Sequence, residues 1–205
     1  MNLIRKYFPG LSDMQSAQFM KLMEVIPELN RKVNIISRQD IGHLEERHVL
    51  HCLAIAKKFT FGGNQTVIDA GTGGGFPGIP LAILFPQTRF ILVDSIGKKV
   101  RLVEEICKML ELENVRVIHG RVEQLNLRAD FVVSRAVAAF PVLFKWIERS
   151  LITGERDSLN GLIALKGGDL DAELGAFRER VTMYPLSRWF EEPFFSTKTI
   201  VYLKK

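Results

Sequence analysis

The stretch "TVIDAGTGGGFPGIPLAILFP", Thr66 to Pro86, decides how the rest of the chain is read. Thr66–Ile68 are β-branched and strand-like. After Asp69-Ala70 come glycines at 71, 73, 74, 75 and 78, with Pro77 and Pro80 among them, and then a second apolar run. A strand that ends in bare backbone and re-enters as a helix is the first βα turn of an open α/β sheet, the place where such sheets bind ligands. Glycine there permits positive φ and close approach to the backbone, and a following helix N-terminus offers N–H groups.

Outward from this turn the pattern repeats. "RFILVDS", "VRVIHG", "DFVVSRA" and "GLIALKG" read as further strands, and "PGIPLAILF", "KKVRLVEEICKMLEL" and "AFPVLFKWIERSLI" as the helices between them. Five strands alternating with helices predict a parallel sheet covered on both faces. "RVTMYPLSRWFEE" and "KTIVYLKK" lie too close together for a crossover helix and predict an antiparallel hairpin added to that sheet. The first sixty residues read as helical. Ser12 and Gln15 form a capping box ahead of Met14, Phe19, Leu22, Met23 and Ile26, and Asp40 is the expected N-cap of a second helix carrying Ile41, Leu44, Val49, Cys52 and Leu53. The division expected is a helical extension, 1–60, and one compact sheet domain, 61–205.

The chain has 205 residues, 47% hydrophobic and 25% charged, which is globular and not disordered composition. "MNLIRKYFPGLSDMQ" has no apolar core of signal-peptide length, and "IPLAILF" is far below the roughly 20 residues of a membrane span. Cys52 and Cys107 fall within helical patterns and read as buried reduced thiols, which points to the cytoplasm. The formal charge of +5 is compatible with a polyanionic partner without demanding one.

The glycine turn admits few ligands. A P-loop is excluded because no Gly-Lys-Ser/Thr follows. Gly73, Gly75 and Gly78 match the dinucleotide pattern in isolation, but a triplet counted from the strand end at Gly71 puts Phe76 where its third glycine belongs. Acidic residues at three successive strand ends, Asp69, Asp94 and Glu123, suit a cationic ligand better than a pyrophosphate. Asp69 serves equally well as a structural cap of the turn. S-adenosyl-L-methionine is the candidate these residues favour.

Together "DAGTGGGFPGIPLAI", "LVDSIGKKVRLVEE", "HGRVEQL", "VVSRAVA" and "ALKGG" resemble the RsmG (GidB) family, methyltransferases of 16S ribosomal RNA, and "RKVNIISR" and "RHVLHCLAI" extend the resemblance over nearly the whole chain. Leu29 departs from it, standing where the family has tryptophan before Asn30. The resemblance implies a Class I, Rossmann-like methyltransferase sheet and methylation of guanine N7 in 16S rRNA of the small subunit. It implies that Gly71, Gly73, Gly75 and Phe76 line the cofactor site with Asp94 at the ribose. Val122 and Glu123 would flank the adenine, and Arg135 would reach the ligand or the incoming base. Guanine N7 has a lone pair and no proton, so no general base is expected.

Basic residues are candidates for RNA contact: Arg31, Arg38 and Arg47 for phosphates, and Lys166 with Arg135 at the mouth of the site. His48 and His51, three apart, could share a helix face but have no evident third metal ligand, and with His43 they read as structural or RNA-facing; no metal is expected. Trp146 and Trp189 read as core. A monomer is expected, since a large RNA substrate needs an open face. Rival readings are a methyltransferase with another substrate, an RNA-binding module without catalysis and, more distantly, a dinucleotide oxidoreductase.

Overall fold

The computed structural model describes residues 1–33, 35–37, 39–153 and 159–205, so Arg38 and the middle of the loop before the fifth strand lie outside the described residues. A seven-stranded sheet runs in the order β3-β2-β1-β4-β5-β7-β6. Its strands are β1 (Thr66–Ala70), β2 (Arg89–Asp94), β3 (Val115–His119), β4 (Phe131–Arg135), β5 (Gly161–Gly167), β6 (Val181–Pro185) and β7 (Lys198–Lys204). β1 to β5 are parallel. β7 pairs antiparallel with β5, from Gly161↔Lys204 to Gly167↔Lys198, and β6 pairs antiparallel with β7 on the outside. The expected hairpin is present, with its later strand inserted next to the parallel sheet. Strand order reverses between β1 and β4, which sets a crevice at their carboxyl ends.

Each strand divides its side chains between two faces, as the period of two requires. Val67, Phe90, Leu92, Phe131, Val133 and Ile163 face one core, and Ile68, Val93, Val132, Leu162 and Ala164 the other. The first face is covered by α1 (Asn2–Tyr7), α2 (Asp13–Asn30), α4 (Gly78–Leu84), α5 (Gly97–Met109) and the helical run before β1, which includes α3 (His51–Leu53). The second is covered by α6 (Phe140–Ile147) and α7 (Asp171–Leu174). Phe19, Leu22, Ile26, Leu50 and Leu53 from the first sixty residues share one apolar cluster with the sheet.

The capping box of α2 forms with both of its bonds. Met14 departs from the expected apolar stripe and is 72% exposed. It lies five residues before Phe19, about 140° around the helix from it. The second helix is also less regular than expected. It is a 3-10 turn (Ile41–His43), a π turn (Leu44–Leu50), α3 and a final 3-10 turn (Ala54–Lys57). The Asp40 side chain makes no capping bond; it is held instead by Arg47 and His48, further along the same helical run. Cys52 and Cys107 are buried free thiols, and burial pushes both pKa values up to about 12. Among the described residues no helix is long and apolar enough to cross a membrane.

Candidate functional site

Most of the glycines in the β1–α4 turn are required by the protein itself. Gly71 has φ +69°, and a Cβ there would lie 2.6 Å from a Val137 methyl. At Gly74 it would lie 1.7 Å from Ile35, and at Gly75 (φ +90°) 2.3 Å from Ile79. At Gly78 it would strike Leu92 and Asp69 at 2.7 and 2.8 Å. Only Gly73, φ +60°, has open space beside it, with nothing nearer than 4.0 Å. The turn is thus closely packed at four of its glycines, and only at Gly73 would a side chain find room. The Phe76–Pro77 peptide is cis.

Two carboxylates hold the turn, and they differ in what else they can do. Asp69 is fully buried; one oxygen accepts from the Thr72 hydroxyl at 2.6 Å and from Gly78 N–H at 2.8 Å. The other oxygen has no partner among the described residues, and burial pushes the pKa up to about 7. Asp69 therefore bolts the turn and occupies the first N–H of α4, a donor that the glycine pattern by itself would offer to a ligand. Asp94 accepts from Gly73 N–H at 2.8 Å and from Ile96 N–H at 2.9 Å, and its carboxylate also faces open space.

That space lies at the carboxyl ends of the strands and has two lobes. The smaller, about 250 Å³, is lined by Gly71, Val93, Asp94, Ser95, Val122, Glu123, Val137 and Trp146. The larger, about 810 Å³, is lined by Gly71, Gly73, Gly74, Phe76, Asp94, Arg135 and Val137, and by Asp40, Arg47, His48, His51, Lys99, Lys166, Phe194 and Lys198. Gly71, Asp94, Ser95 and Val137 belong to both lobes. Val137 sits on a loop whose preceding residue, Ala136, has φ +54°, a left-handed conformation that costs a non-glycine residue about 1–2 kcal/mol.

The small lobe has aliphatic walls, one indole, two carboxylates and the Arg121 guanidinium, 3.9 Å from Glu123. It fits a purine nucleoside with hydroxyls for Asp94 and polar edge atoms for Glu123. The acid-lined, Cβ-free surface between the lobes fits a cationic group, so the residues present suit S-adenosyl-L-methionine.

The larger lobe is organised by Arg135. Its guanidinium lies 5.2 Å from the Phe76 ring centre and donates to the Arg47 carbonyl and to Nδ1 of His48, each at 3.3 Å. Because His48 Nδ1 accepts, Nε2 carries the proton and donates to Asp40 at 2.7 Å. Burial, then the Arg135 charge, keeps the His48 pKa below 6.5 despite Asp40. Asp40 also binds Arg47 at 3.0 Å; those two bonds outweigh its own burial and leave its carboxyl below the usual value. The π turn, a feature often found at functional sites, presents Arg47 and His48 together.

Several expected residues stand elsewhere or act otherwise. Gly75 does not line either lobe and is glycine for the sake of Ile79. Arg31 is exposed at the C-cap of α2 and lines neither lobe. Lys166 reaches the cleft wall, but its ammonium is held by the Ala138 carbonyl at 2.7 Å and Glu173 at 2.6 Å, so it braces the loop after β4. Trp146 is half-buried and faces the small lobe, while Trp189 packs half-buried at the edge of the core. His119 contacts the Ser95 carbonyl at 3.1 Å, beside the small lobe. Val137, Phe194, Lys198 and Ile35 carry no signal of their own in the sequence. Each is an ordinary core or surface type, and only the chain's return to the cleft reveals them.

Comparison with known proteins converges on one description. A family profile described as GidB, rRNA small subunit methyltransferase G, matches residues 15–190. A protein of Christiangramia forsetii named ribosomal RNA small subunit methyltransferase G is 48% identical over 99% of this chain and 96% of its own length. A Bacteroides fragilis protein of the same name is 49% identical over 99% of both chains. Among solved structures, Aeropyrum pernix fibrillarin with natively bound S-adenosyl-L-methionine superposes with a TM-score of 0.55 at 11% identity, over 77% of this chain and 74% of that one. Likeness at that identity speaks to the fold, which is the mostly parallel methyltransferase sheet with its antiparallel C-terminal pair.

Proposed function

The chain belongs to the GidB family, rRNA small subunit methyltransferase G, and from that premise we propose that it methylates N7 of a guanine in 16S ribosomal RNA. We read it as a cytoplasmic monomer in which residues 1–60 are a helical extension of the catalytic sheet. The observation that carries the reading is one cleft of two lobes that share Gly71, Asp94, Ser95 and Val137, a nucleoside lobe with Asp94 and Glu123 beside β2 and β3 and a cation-rich mouth beside β4, β5 and β7.

S-adenosyl-L-methionine supplies an electrophilic methyl group on a positively charged sulfur. The residues that would hold it are Gly71 and Gly73 with their bare backbone, Asp94 at the ribose, and Val122, Glu123 and Trp146 around the adenine. Arg47, Arg135 and Lys198 carry charge suited to RNA phosphates and base acceptor atoms. Guanine N7 offers a lone pair without a proton to remove. The protein's contribution is therefore proximity and alignment rather than acid–base chemistry. In keeping with this, His48 is committed on both nitrogens, and Asp94 is committed to backbone N–H groups.

The test is labelled methyl transfer offered in parallel to 30S subunits, free 16S rRNA and protein extract, followed by digestion and nucleoside identification. Label in 7-methylguanosine from one of the RNA arms is expected. Label confined to protein, or to a different nucleoside, would overturn the assignment.

A further inference from the structure

Arg135 is a cation held in place without being neutralised. Among the described residues it forms no ion pair, whereas Lys166, on the same lobe, is matched by Glu173 at 2.6 Å. Its hydrogen-bond partners are the Arg47 carbonyl and Nδ1 of His48, each at 3.3 Å. Asp40 stands behind the imidazole, 2.7 Å from Nε2, and its charge is met by Arg47 at 3.0 Å. The bond to Asp40 fixes which ring nitrogen carries the proton, and so keeps Nδ1 an acceptor. A carboxylate set directly against the guanidinium would offset its charge. A neutral imidazole between the two passes on direction and leaves the charge available.

The hydrogen bonds also decide which edge of Arg135 is used. One acceptor that takes a hydrogen from both Nη1 and Nη2 engages the end of the guanidinium, and the second Nη1 hydrogen goes to Arg47. The N–H groups left over are Nε–H and the outer Nη2–H, which run parallel to each other. The Nε–H is open: the sealed, unpartnered side-chain nitrogens among the described residues are Arg47 Nε and His51 Nε2. Phe76, itself buried, supports both groups, with the guanidinium 5.2 Å from its ring centre and the imidazole edge-on at 6.0 Å. Two parallel N–H groups on a retained positive charge match two oxygens of one anion.

We propose that His48 and Asp40 are positioning residues for methyl transfer, holding Arg135 by the end of its guanidinium and keeping its Nε–H/Nη2–H edge free for a two-oxygen anion, the methyl donor's carboxylate or an RNA phosphate. This rests on the rRNA methylation reading. An unrestrained arginine has much rotamer freedom to lose on binding. The clamp makes that loss part of folding, so the anion meets a guanidinium already in place. The N7/O6 edge of the target guanine would also accept two parallel donors, but N7 must keep its lone pair for the methyl group.

Variants of His48 that separate the two ring nitrogens test this on 30S subunits. In His48→Asn the amide oxygen takes the place of Nδ1 and falls short of Asp40. In His48→Gln the amide reaches Asp40 and leaves the place of Nδ1 empty. We expect kcat/KM within about threefold of wild type for His48→Asn and lower by about tenfold for His48→Gln. In an Arg135→Ala background the two should be equal, because His48 acts through Arg135. Calorimetry with S-adenosyl-L-methionine assigns the anion: weaker binding by His48→Gln identifies the carboxylate, and unchanged binding with the loss in kcat or in KM for 30S subunits identifies a phosphate. A merely structural histidine would rank the variants by melting temperature, where the Asp40 bond favours His48→Gln. Activity in that order, a loss in His48→Asn as large as in His48→Gln, or a difference that persists in the Arg135→Ala background would each overturn the proposal. Absence of any RNA methylation by the wild-type protein is the separate result that overturns the rRNA reading, and the proposal falls with it.

Discussion

Alanine at Gly71 and at Gly73 should fail in different ways: both glycines line the cleft, but a Cβ on Gly71 would strike Val137 while one on Gly73 would meet open space. Both have positive φ, +69° and +60°, so each substitution carries about 1–2 kcal/mol of left-handed backbone strain. At Gly71 the new methyl would also lie 2.6 and 2.8 Å from the two Val137 methyls, closer than packed carbons come. Overpacking costs about 1–3 kcal/mol. Val137 is 37% exposed and its loop can yield, which puts the clash near 1 kcal/mol. Gly71→Ala should therefore lose about 2–3 kcal/mol of stability, and Gly73→Ala only the strain. Adding Val137→Ala should restore about 1 kcal/mol to Gly71→Ala and nothing to Gly73→Ala. Urea denaturation gives these values, and calorimetric titration with S-adenosyl-L-methionine gives the other half. Gly73→Ala should weaken binding by about tenfold or more, since its methyl would project into the cleft. Equal stability losses with no rescue by Val137→Ala would refute the packing account of Gly71. Wild-type binding by Gly73→Ala would refute its place at the ligand.

Further predictions concern the groups around the turn and the mouth. Asp69→Ala strands the Gly78 N–H and the Thr72 hydroxyl inside the protein, and should destabilise it by about 2–4 kcal/mol in urea unfolding; a loss under about 1 kcal/mol would mean the bolt is dispensable. His51 titrates in the folded state well below its ordinary 6.5, so the unfolded chain takes up the proton first and stability is lost as pH falls below 6.5. The stability difference between wild type and His51→Phe should shift against wild type by up to about 1.4 kcal/mol per pH unit in that range. A difference that stays constant from about pH 7.5 to about pH 5 would contradict a neutral buried ring. Double substitution of Arg47 and Lys198 by alanine should lower the salt dependence of 30S binding by roughly 1–2 in log–log slope, and an unchanged slope would take both from the phosphate contacts.

Much of the fold is written in local sequence patterns. The glycine turn after Asp69, the five β-branched runs and the period of two within them force a parallel sheet with two apolar faces. The Ser12 cap is likewise local chemistry. Less legible is the reason for each glycine. Gly71, Gly74, Gly75 and Gly78 answer to Val137, Ile35, Ile79 and Leu92, of which only Ile79 lies within four residues of its glycine. Asp40 has the composition of an N-cap, yet Arg47 and His48 offer its carboxylate stronger, charge-assisted bonds. Lys166 is legible as a cleft residue, while Glu173, which holds its charge, follows in a short helix that the alternation does not announce. His51 shows the general limit. Its sequence reading, structural or RNA-facing, does not reveal that Phe194 and Phe195, from the far end of the chain, pack edge-on against its ring at the wall of the larger lobe.

The measurement that bears most directly on the whole is a crystal structure of the protein with S-adenosylhomocysteine. The adenine is expected in the small lobe against Val122, Glu123 and Trp146, the ribose hydroxyls on Asp94, and the amino-acid end over Gly71 and Gly73, leaving the Phe194–Lys198 side open for RNA. Density for the ligand at that Phe194–Lys198 side, or in the groove between α2 and the end of α5, would contradict the assignment of the two lobes.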